Sequence, residues 1–331
     1  MTSANVTTAP VPTTAEPAGR SNDLVVFGGL VVLLMLAPLV IYPVFLMKVL
    51  CFALFACAFN LLIGYVGLLS FGHAMFFGSA AYVSAHSVKV LGWPPELGIL
   101  AGAAVAGSLG LLTGLIAIRR QGIYFAMITL ALAQMVFFFC LQAKFTGGED
   151  GIQGVPRSAF LGLIDIRNDL SLYFVVLAIF CAGFLVIYRT IHSPFGQVLK
   201  AIRENEARAI SLGYAVERYK LIAFVISAAL SGLAGATKAI VFQLATLTDV
   251  TWQMSGEVVL MTLVGGLGTV FGPIVGAAVI ITMQNYLARF GEWVLVIQGV
   301  IFVVTVLVFR RGIIGEIAAA FSKRRRSADK G

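Results

Sequence analysis

The chain has 331 residues, of which 60% are hydrophobic and only 11% are charged, and its mean hydropathy is +0.97. Soluble globular domains carry about 25% charged residues, so this composition excludes a mainly water-facing surface and predicts a chain that lies in lipid. The net charge of +8 is spread between apolar runs and is not clustered with aromatic residues, which indicates membrane topology and argues against nucleic-acid binding.

The apolar runs, taken in chain order, predict an all-α polytopic membrane protein with about ten transmembrane helices. Single helices are expected over residues 24–47, 97–118, 121–143, 170–188, 221–247 and 293–309, with two more in 49–88 and two in 258–288. The last of these runs is divided near Gly272 and Pro273, because a proline after a glycine favours a helix break. Two crossings there also keep the basic C-terminal residues in the cytoplasm.

The remaining segments predict how the chain is organised. Residues 1–23, rich in Thr, Ala and Pro, indicate a disordered cytoplasmic tail, residues 24–310 a transmembrane domain, and residues 311–331 a basic cytoplasmic tail. Ten helices with both termini inside divide into two oppositely oriented sets of five, the arrangement of an inverted-topology repeat. Phe71-Gly72 and Phe271-Gly272 are the similarity between the two sets, since both lie in glycine-rich breaks.

Four polar residues in or beside the apolar runs are candidates for lining a substrate path: Asn60, Ser70, His73 and Glu257. Polar groups at membrane depth usually face the bundle interior or a wet cavity. Hydrogen bonding between helices is the alternative role for Asn60 and His73, and structural capping is the alternative for Glu257. Lys238, inside a predicted helix, is expected to extend its ammonium toward the membrane surface.

The sequence carries no pattern of an enzyme or a metalloprotein. There is no GxxxxGK[ST] phosphate loop, so the chain does not hydrolyse ATP by itself, and no nucleophile elbow surrounds a serine. His73 has no second ligand at metal-binding spacing, and the four cysteines lie in apolar runs without a CxxC pair. We therefore expect no catalytic site, no metal and no cofactor.

Residues 193–213 form an amphipathic stretch that is too polar to span a membrane. Ser193 suits a helix N-cap, Pro194 the first helical position and Gly213 a left-handed C-cap. A helix lying on the lipid surface is one interpretation. The charges on its polar side are mixed in sign, which favours a docking helix for a soluble partner.

Four stretches in order resemble the LivM-type permeases, the branched-chain amino acid group of ABC importers. They are NLLIGYVGLLSFGHAMFFGSAAY (60–82), TGGEDGIQGVP (146–156), IRENEARAISLGYAVERYKLIAFVISAALSGLAGA (202–236) and GEVVLMTLVGGLGTVFGPIVGAA (256–278). The resemblance implies a permease in the bacterial inner membrane, with residues 193–213 as the loop that contacts an ATPase. It also implies a second homologous permease, two ABC ATPase subunits and an extracytoplasmic substrate-binding protein.

Ile202, Ala207 and Ile210 are the expected anchors of this coupling loop, Arg203 and Glu206 its polar contacts, and Gly213 its C-cap. Glu206 and Gly213 are seven residues apart and no Leu-Pro follows, which departs from the general EAA pattern of bacterial importers. The expected substrate is a branched-chain amino acid. Urea or short amides are alternatives within the family, and a self-contained secondary transporter is the alternative outside it.

Overall fold

A computed structural model describes residues 20–160, 162, 164–288, 296–297, 299–300, 303 and 312. The predictions for residues 1–19, for most of the helix at 293–309 and for the basic tail apart from Gly312 fall outside the described residues. Residues 20–23 are helical, because the first helix begins at Arg20.

The described residues contain eleven α-helices and four two-residue strands. The helices are α1 Arg20–Leu36, α2 Pro43–Asn60, α3 His73–Lys89, α4 Pro95–Ala117, α5 Ile123–Gln142, α6 Asp169–His192, α7 Pro194–Glu204, α8 Glu206–Ser211, α9 Val216–Phe242, α10 Trp252–Gly265 and α11 Gly272–Leu287. A π-helix over Leu61–Val66 extends α2. The described residues are therefore mainly α-helical, as the predicted all-α class requires.

The strands form two short antiparallel pairs in the segments between helices. β1 (Ile152–Gln153) pairs with β4 (Leu244–Ala245), and β2 (Ala159–Phe160) pairs with β3 (Ile164–Asp165). The first pair fastens the long connection after α5 to the segment after α9, so these two connections lie at one end of the helix bundle. We call this the strand end, and we call the opposite end, which carries α7 and α8, the α7–α8 end.

Five helices in the described part of the chain are long and apolar enough to cross a membrane. They are Pro43–Val66, Pro95–Ala117, Ile123–Gln142, Asp169–His192 and Val216–Phe242. The structure thus supports a helical, multi-pass membrane protein, and the count of ten crossings stays a prediction. The interruption expected within residues 258–288 is present, with α10 and α11 joined by a turn over residues 266–271.

The single helix predicted over residues 24–47 is wrong. α1 ends at Leu36, a 3-10 turn follows, and α2 begins with Pro43 at its first position. Proline lacks the backbone N–H that a helix interior requires but fits the first turn, where that N–H has no partner. Pro38 and Pro43 were therefore the sequence signals for a boundary between two helices at residues 37–42, and not at Lys48.

α2 and α9 form the centre of the bundle. α9 packs against α2, α3 and α4, while α2 also packs against α6, α10 and α11. Small residues permit the close approach: a Cβ added at Gly110 would meet the Ala228 side chain, and one added at Gly235 would meet the Phe77 carbonyl. α2 and α9 are buried on most sides. Their ends are therefore fixed relative to α7 and α8, the two helices within residues 193–213.

The two Phe-Gly dipeptides that suggested an inverted repeat, Phe71-Gly72 and Phe271-Gly272, do not occupy equivalent positions in the two sets of helices. Phe71 and Gly72 lead into the third helix of the first set, whereas Phe271 and Gly272 lead into α11, the fourth of the second set. Both breaks lie at the α7–α8 end, because Asn60, which precedes the first break, hydrogen-bonds to the second. Equivalent positions of an inverted repeat would lie at opposite ends.

Candidate functional site

Residues 193–213, the predicted coupling loop, form two helices and not the single helix that the sequence predicted. α7 begins as expected, with Pro194 at its first position and the Ser193 hydroxyl accepting the Gly196 N–H at 3.3 Å. It ends at Glu204, because Asn205 adopts an extended conformation and caps α8 by accepting the Arg208 N–H at 3.0 Å. Asparagine is among the strongest N-cap residues, so it was the overlooked signal.

α8 ends in a left-handed turn at Gly213, as the sequence predicted. Gly213 has φ +86°, its N–H donates to the Ile210 carbonyl at 2.9 Å, and the Tyr214 N–H donates to the Ala209 carbonyl at 3.2 Å. These two bonds form a Schellman motif, which satisfies the last carbonyls of the helix. The turn fixes the angle between α8 and the central helix α9.

An apolar cluster and an ion pair hold α7 and α8 against α9. Ile202, Ala209 and Val216 are buried together. The Lys220 ammonium of α9, itself buried, lies 2.7 Å from the Glu206 carboxylate of α8. Two of the predicted partner contacts, Ile202 and Glu206, are therefore engaged within the chain.

The outer side of α8 and the turn after it are apolar and exposed. Ala207 is exposed, Ile210 is 58% exposed, Leu212 is 67% exposed, and Tyr214 is 40% exposed. Of the three predicted anchors, Ala207 and Ile210 lie on this surface and Ile202 does not. We call Ala207, Ile210, Leu212 and Tyr214 the α8 patch.

Arg203 is exposed, and its side chain extends toward the end of α2 and not toward the α8 patch. Its Nη1 donates to the carbonyl of Gly64 in the π-helix that ends α2. Asn60, one turn before Gly64, fastens the α10–α11 turn: its Nδ2 donates to the Thr269 carbonyl at 2.9 Å, and its Oδ1 accepts the Gly268 N–H at 3.0 Å. The side chain of Asn60 is buried, and its hydrogen bonds join the end of α2 to the α10–α11 turn.

Ser70 and His73 are both fully buried where the chain enters α3. The Ser70 hydroxyl accepts the Gly72 N–H at 3.2 Å. Ser227 of α9 donates its hydroxyl to the Ala58 carbonyl at 2.6 Å and lies 2.9 Å from His73 Nε2. A hydroxyl has one proton, so Nε2 carries the N–H that this contact needs and the imidazole is the Nε2–H tautomer.

These contacts place Asn60 and His73 in the interhelical hydrogen-bonding role that the sequence left open. His73 packs edge-on against Phe59, Phe76 and Phe224, with ring centroids 4.9 to 5.9 Å apart. Its Nδ1 has no hydrogen-bond partner among the described residues. Ser227 is a site-region residue that the sequence reasoning missed, and its position 154 residues from His73 left no local signal.

Glu257 differs from the other three candidates because it is partly exposed. It lies in α10 beside the Gln284 side chain of α11 and within electrostatic range of Lys48 in α2. Three helices therefore contribute polar or charged groups around one partly open position. The sequence made Gln284 a weaker candidate of the same kind as Glu257, whereas Lys48 was not predicted to belong to a site.

Lys238 does not extend to the surface as predicted. Its ammonium lies 2.9 and 2.7 Å from the two carboxylate oxygens of Asp249, and the residues are only 9% and 2% exposed. Asp249 also accepts the Thr246 N–H at 3.3 Å, in a capping box at the strand end. The pair forms because the chain reverses after Gln243, which has φ 55°, and this reversal was not visible in the sequence.

Residues 42–306 match the family described as branched-chain amino acid transport system / permease component. The chain is 30% identical to the high-affinity branched-chain amino acid transport system permease protein LivM of Escherichia coli (strain K12), over 72% of this chain and 62% of that protein. The LivM protein of Salmonella typhimurium is 29% identical over the same shares.

A third similar protein is the ribose import permease protein RbsC of Bacillus subtilis, 27% identical over 67% of this chain and 70% of its own length. No solved structure matches the chain. The chain thus spans about 62% of the length of the LivM relatives. Because the family match covers residues 42–306, which is most of the chain, this protein belongs to the family of permease components of branched-chain amino acid transport systems.

Proposed function

We propose that this chain is the membrane permease subunit of an ABC importer in the bacterial inner membrane and forms part of the path for branched-chain amino acids. It would work with a second homologous permease, two ABC ATPase subunits and an extracytoplasmic binding protein. It is not itself an enzyme, since its relatives are named as transport permeases and its sequence lacks a phosphate loop.

The α8 patch is the observation that carries this proposal. Contiguous exposed apolar patches rimmed by polar residues mark interaction sites, and here Ile210 of α8 and Leu212 directly after it are exposed outside the membrane-length helices. The Glu206–Lys220 ion pair and the turn at Gly213 fix this helix to α9. A soluble subunit that binds the α8 patch can therefore act directly on the centre of the bundle.

We propose that both termini are cytoplasmic, and contacts at the two ends of the bundle support this for the C-terminus. Gly312 lies directly against Gly266 in the α10–α11 turn, and that turn is joined to Asn60 at the α7–α8 end. Lys89, at the end of α3, donates to the Gln153 carbonyl at 2.7 Å at the strand end. If the α8 patch faces the cytoplasm, the C-terminal residues beyond Gly312 begin on the same side.

Helix pairing supports two inverted five-helix repeats. In the first set α3 packs on α4, and α4 packs on α9; in the second set α10 packs on α11, and α11 packs on α2. An inverted repeat that exchanges α4 with α11 and α2 with α9 produces this pattern. We therefore propose ten crossings, with the tenth in the part of the chain at 293–309.

We assign the four candidate path residues two different tasks. Glu257, partly exposed and beside Gln284 and Lys48, would line the path. Asn60, Ser70 and His73 would hold the ends of the interrupted helices that border it, since each is buried and hydrogen-bonded to a helix break or between helices.

Reconstitution tests the proposal. Proteoliposomes that contain the chain with its ATPase, homologous permease and binding protein should accumulate labelled leucine only when ATP is supplied. Unlabelled valine and isoleucine should compete, whereas urea, acetamide and ribose should not. Competition by urea or acetamide alone would assign the alternative substrate class, and ATP-independent uptake by this chain alone would establish a secondary transporter and refute the proposal.

A matched pair of variants links uptake to the α8 patch. Ile210→Glu places a charge on the patch, while Val90→Glu places one at a residue 63% exposed at the strand end. Docking surfaces concentrate affinity in a few apolar anchors, so Ile210→Glu should release the ATPase on purification and Val90→Glu should retain it. Equal retention would show that the patch is not the docking surface.

A further inference from the structure

Arg203 belongs to α7 and is exposed, yet its guanidinium reaches the end of α2 and hydrogen-bonds to the Gly64 carbonyl. We infer that Arg203 is a positioning residue that transmits movement of α7 to two helix breaks, the end of α2 and the α10–α11 turn. This inference rests on the proposed function, because it assumes that a partner subunit moves α7 and α8.

The first step is the bond between Arg203 and the end of α2. The last carbonyls of a helix have no partner within the helix, and a cation there also interacts favourably with the helix dipole. The Gly64 carbonyl is one of these groups, and it accepts the Arg203 Nη1–H. Lys200, one turn earlier on α7, lies 5.7 Å from the centroid of the Tyr65 ring. Two cations of α7 thus contact adjacent residues of the π-helix.

The second step is the close approach of the α10–α11 turn. A Cβ added at Gly64 would lie 2.8 Å from the Gly268 nitrogen, and one added at Gly268 would lie 3.1 Å from Arg203 Nη1. Gly67, which ends the π-helix at φ +83°, would place a Cβ 3.2 Å from Arg203 Cγ. Three glycines therefore leave the space that the guanidinium occupies between the two breaks.

The third step joins the breaks to each other. Asn60 holds Gly268 and Thr269 through two hydrogen bonds, at 3.0 and 2.9 Å. A displacement of the end of α2 therefore displaces the α10–α11 turn with it. Insertions of a π-turn are frequent at functional positions in helices, and here the π-helix is the segment that Arg203 contacts.

Apart from the Lys200–Tyr65 contact, the other polar and apolar attachments described above join α7 and α8 to α9. The Ile202 cluster and the Glu206–Lys220 pair connect α7 and α8 to α9. Removing Arg203 leaves these attachments and the α8 patch intact. Movement of α7 would then reach α9 without the hydrogen bond to Gly64 between the two breaks, and the Lys200–Tyr65 contact would be left as the polar contact with the end of α2.

The test compares Arg203→Met with Arg218→Met, an exposed arginine of α9, in the reconstituted importer. Three quantities are measured: ATPase retained on purification, ATP hydrolysis stimulated by leucine and binding protein, and leucine taken up per ATP. Arg203→Met should retain the ATPase and hydrolyse ATP but use about tenfold more ATP per leucine, the change expected for one lost hydrogen bond of a charged donor. Arg218→Met should match the unmodified chain, and Arg203→Lys, which keeps a cationic donor, should recover part of the loss.

Each other outcome overturns the inference in a recognisable way. Loss of the ATPase from Arg203→Met would make Arg203 a partner contact and leave the proposed function standing. Unchanged uptake per ATP would show that the bond transmits nothing. If Arg203→Met fails to reach the membrane, Gly64→Ala decides, because its Cβ disturbs the same junction while every charge is kept: normal coupling in that variant refutes the inference. Absence of any ATPase from the unmodified complex would instead refute the proposed function.

Discussion

The buried ion pair between Lys238 and Asp249 gives the sharpest prediction of stability. Asp249→Asn keeps the size of the side chain but leaves the Lys238 ammonium without its counter-charge in a place where it is 9% exposed. Removing one partner of a buried pair costs about 3 to 5 kcal/mol, because the remaining charge is uncompensated. The structure offers a matched control in Asp169→Asn, since Asp169 pairs with Arg157 at 2.9 Å but its side chain is 38% exposed.

An exposed pair contributes about 0 to 1 kcal/mol, so the two amide substitutions should differ by about 3 kcal/mol in the free energy of unfolding. Unfolding by sodium dodecyl sulfate titration in mixed micelles measures that difference. The double variant Lys238→Met, Asp249→Leu should recover much of the lost stability, because replacing a whole buried pair by apolar residues is often close to neutral. If Asp249→Asn costs no more than Asp169→Asn, the pair is not sequestered from water and the reasoning is wrong.

Three further substitutions follow from individual contacts. Gly235→Val should lower the yield of folded protein, because its side chain would meet the Phe77 backbone of α3, whereas Gly256→Val, with open space around it, should fold normally; equal yields would contradict the packing. His73→Phe should cost about 1 kcal/mol of stability, the contribution of a typical hydrogen bond, and should lower leucine uptake while the ATPase is retained. Unchanged uptake would show that His73 does not support the helices that border the path. Gly213→Val should cost about 1 to 2 kcal/mol for a left-handed backbone and reduce ATPase stimulation, and Gly213→Asn, which tolerates that backbone, should retain it.

Local sequence signals predicted several features correctly, because their causes are local. Ser193 and Pro194 begin α7 and Gly213 ends the loop as expected, since caps depend on neighbouring backbone groups. The break at Asn205 and the break at Pro43 were equally local, and were missed because the apolar pattern was weighed above the capping residues. The class of membrane protein followed from composition alone.

The partners of the polar residues could not be predicted, because they come from distant parts of the chain. Arg203 looked like a contact for a soluble subunit, yet its acceptor is the Gly64 carbonyl, 139 residues away. Lys238 seemed free to extend to the surface, since nothing in the sequence showed that the chain reverses and places Asp249 beside it. Tertiary contacts of this kind are set by helix packing, which no spacing within one helix reveals.

The central claim is that a soluble ATPase binds the α8 patch. A photo-crosslinking amino acid at Ile210 of the assembled importer, with the same group at Val90 as control, tests it most directly; the two side chains are 58% and 63% exposed at opposite ends of the bundle. Irradiation followed by mass analysis of the adduct should give a permease–ATPase product from Ile210 and none from Val90. An ATPase adduct from Val90, or no ATPase adduct from Ile210 in a complex that still hydrolyses ATP, would contradict the account.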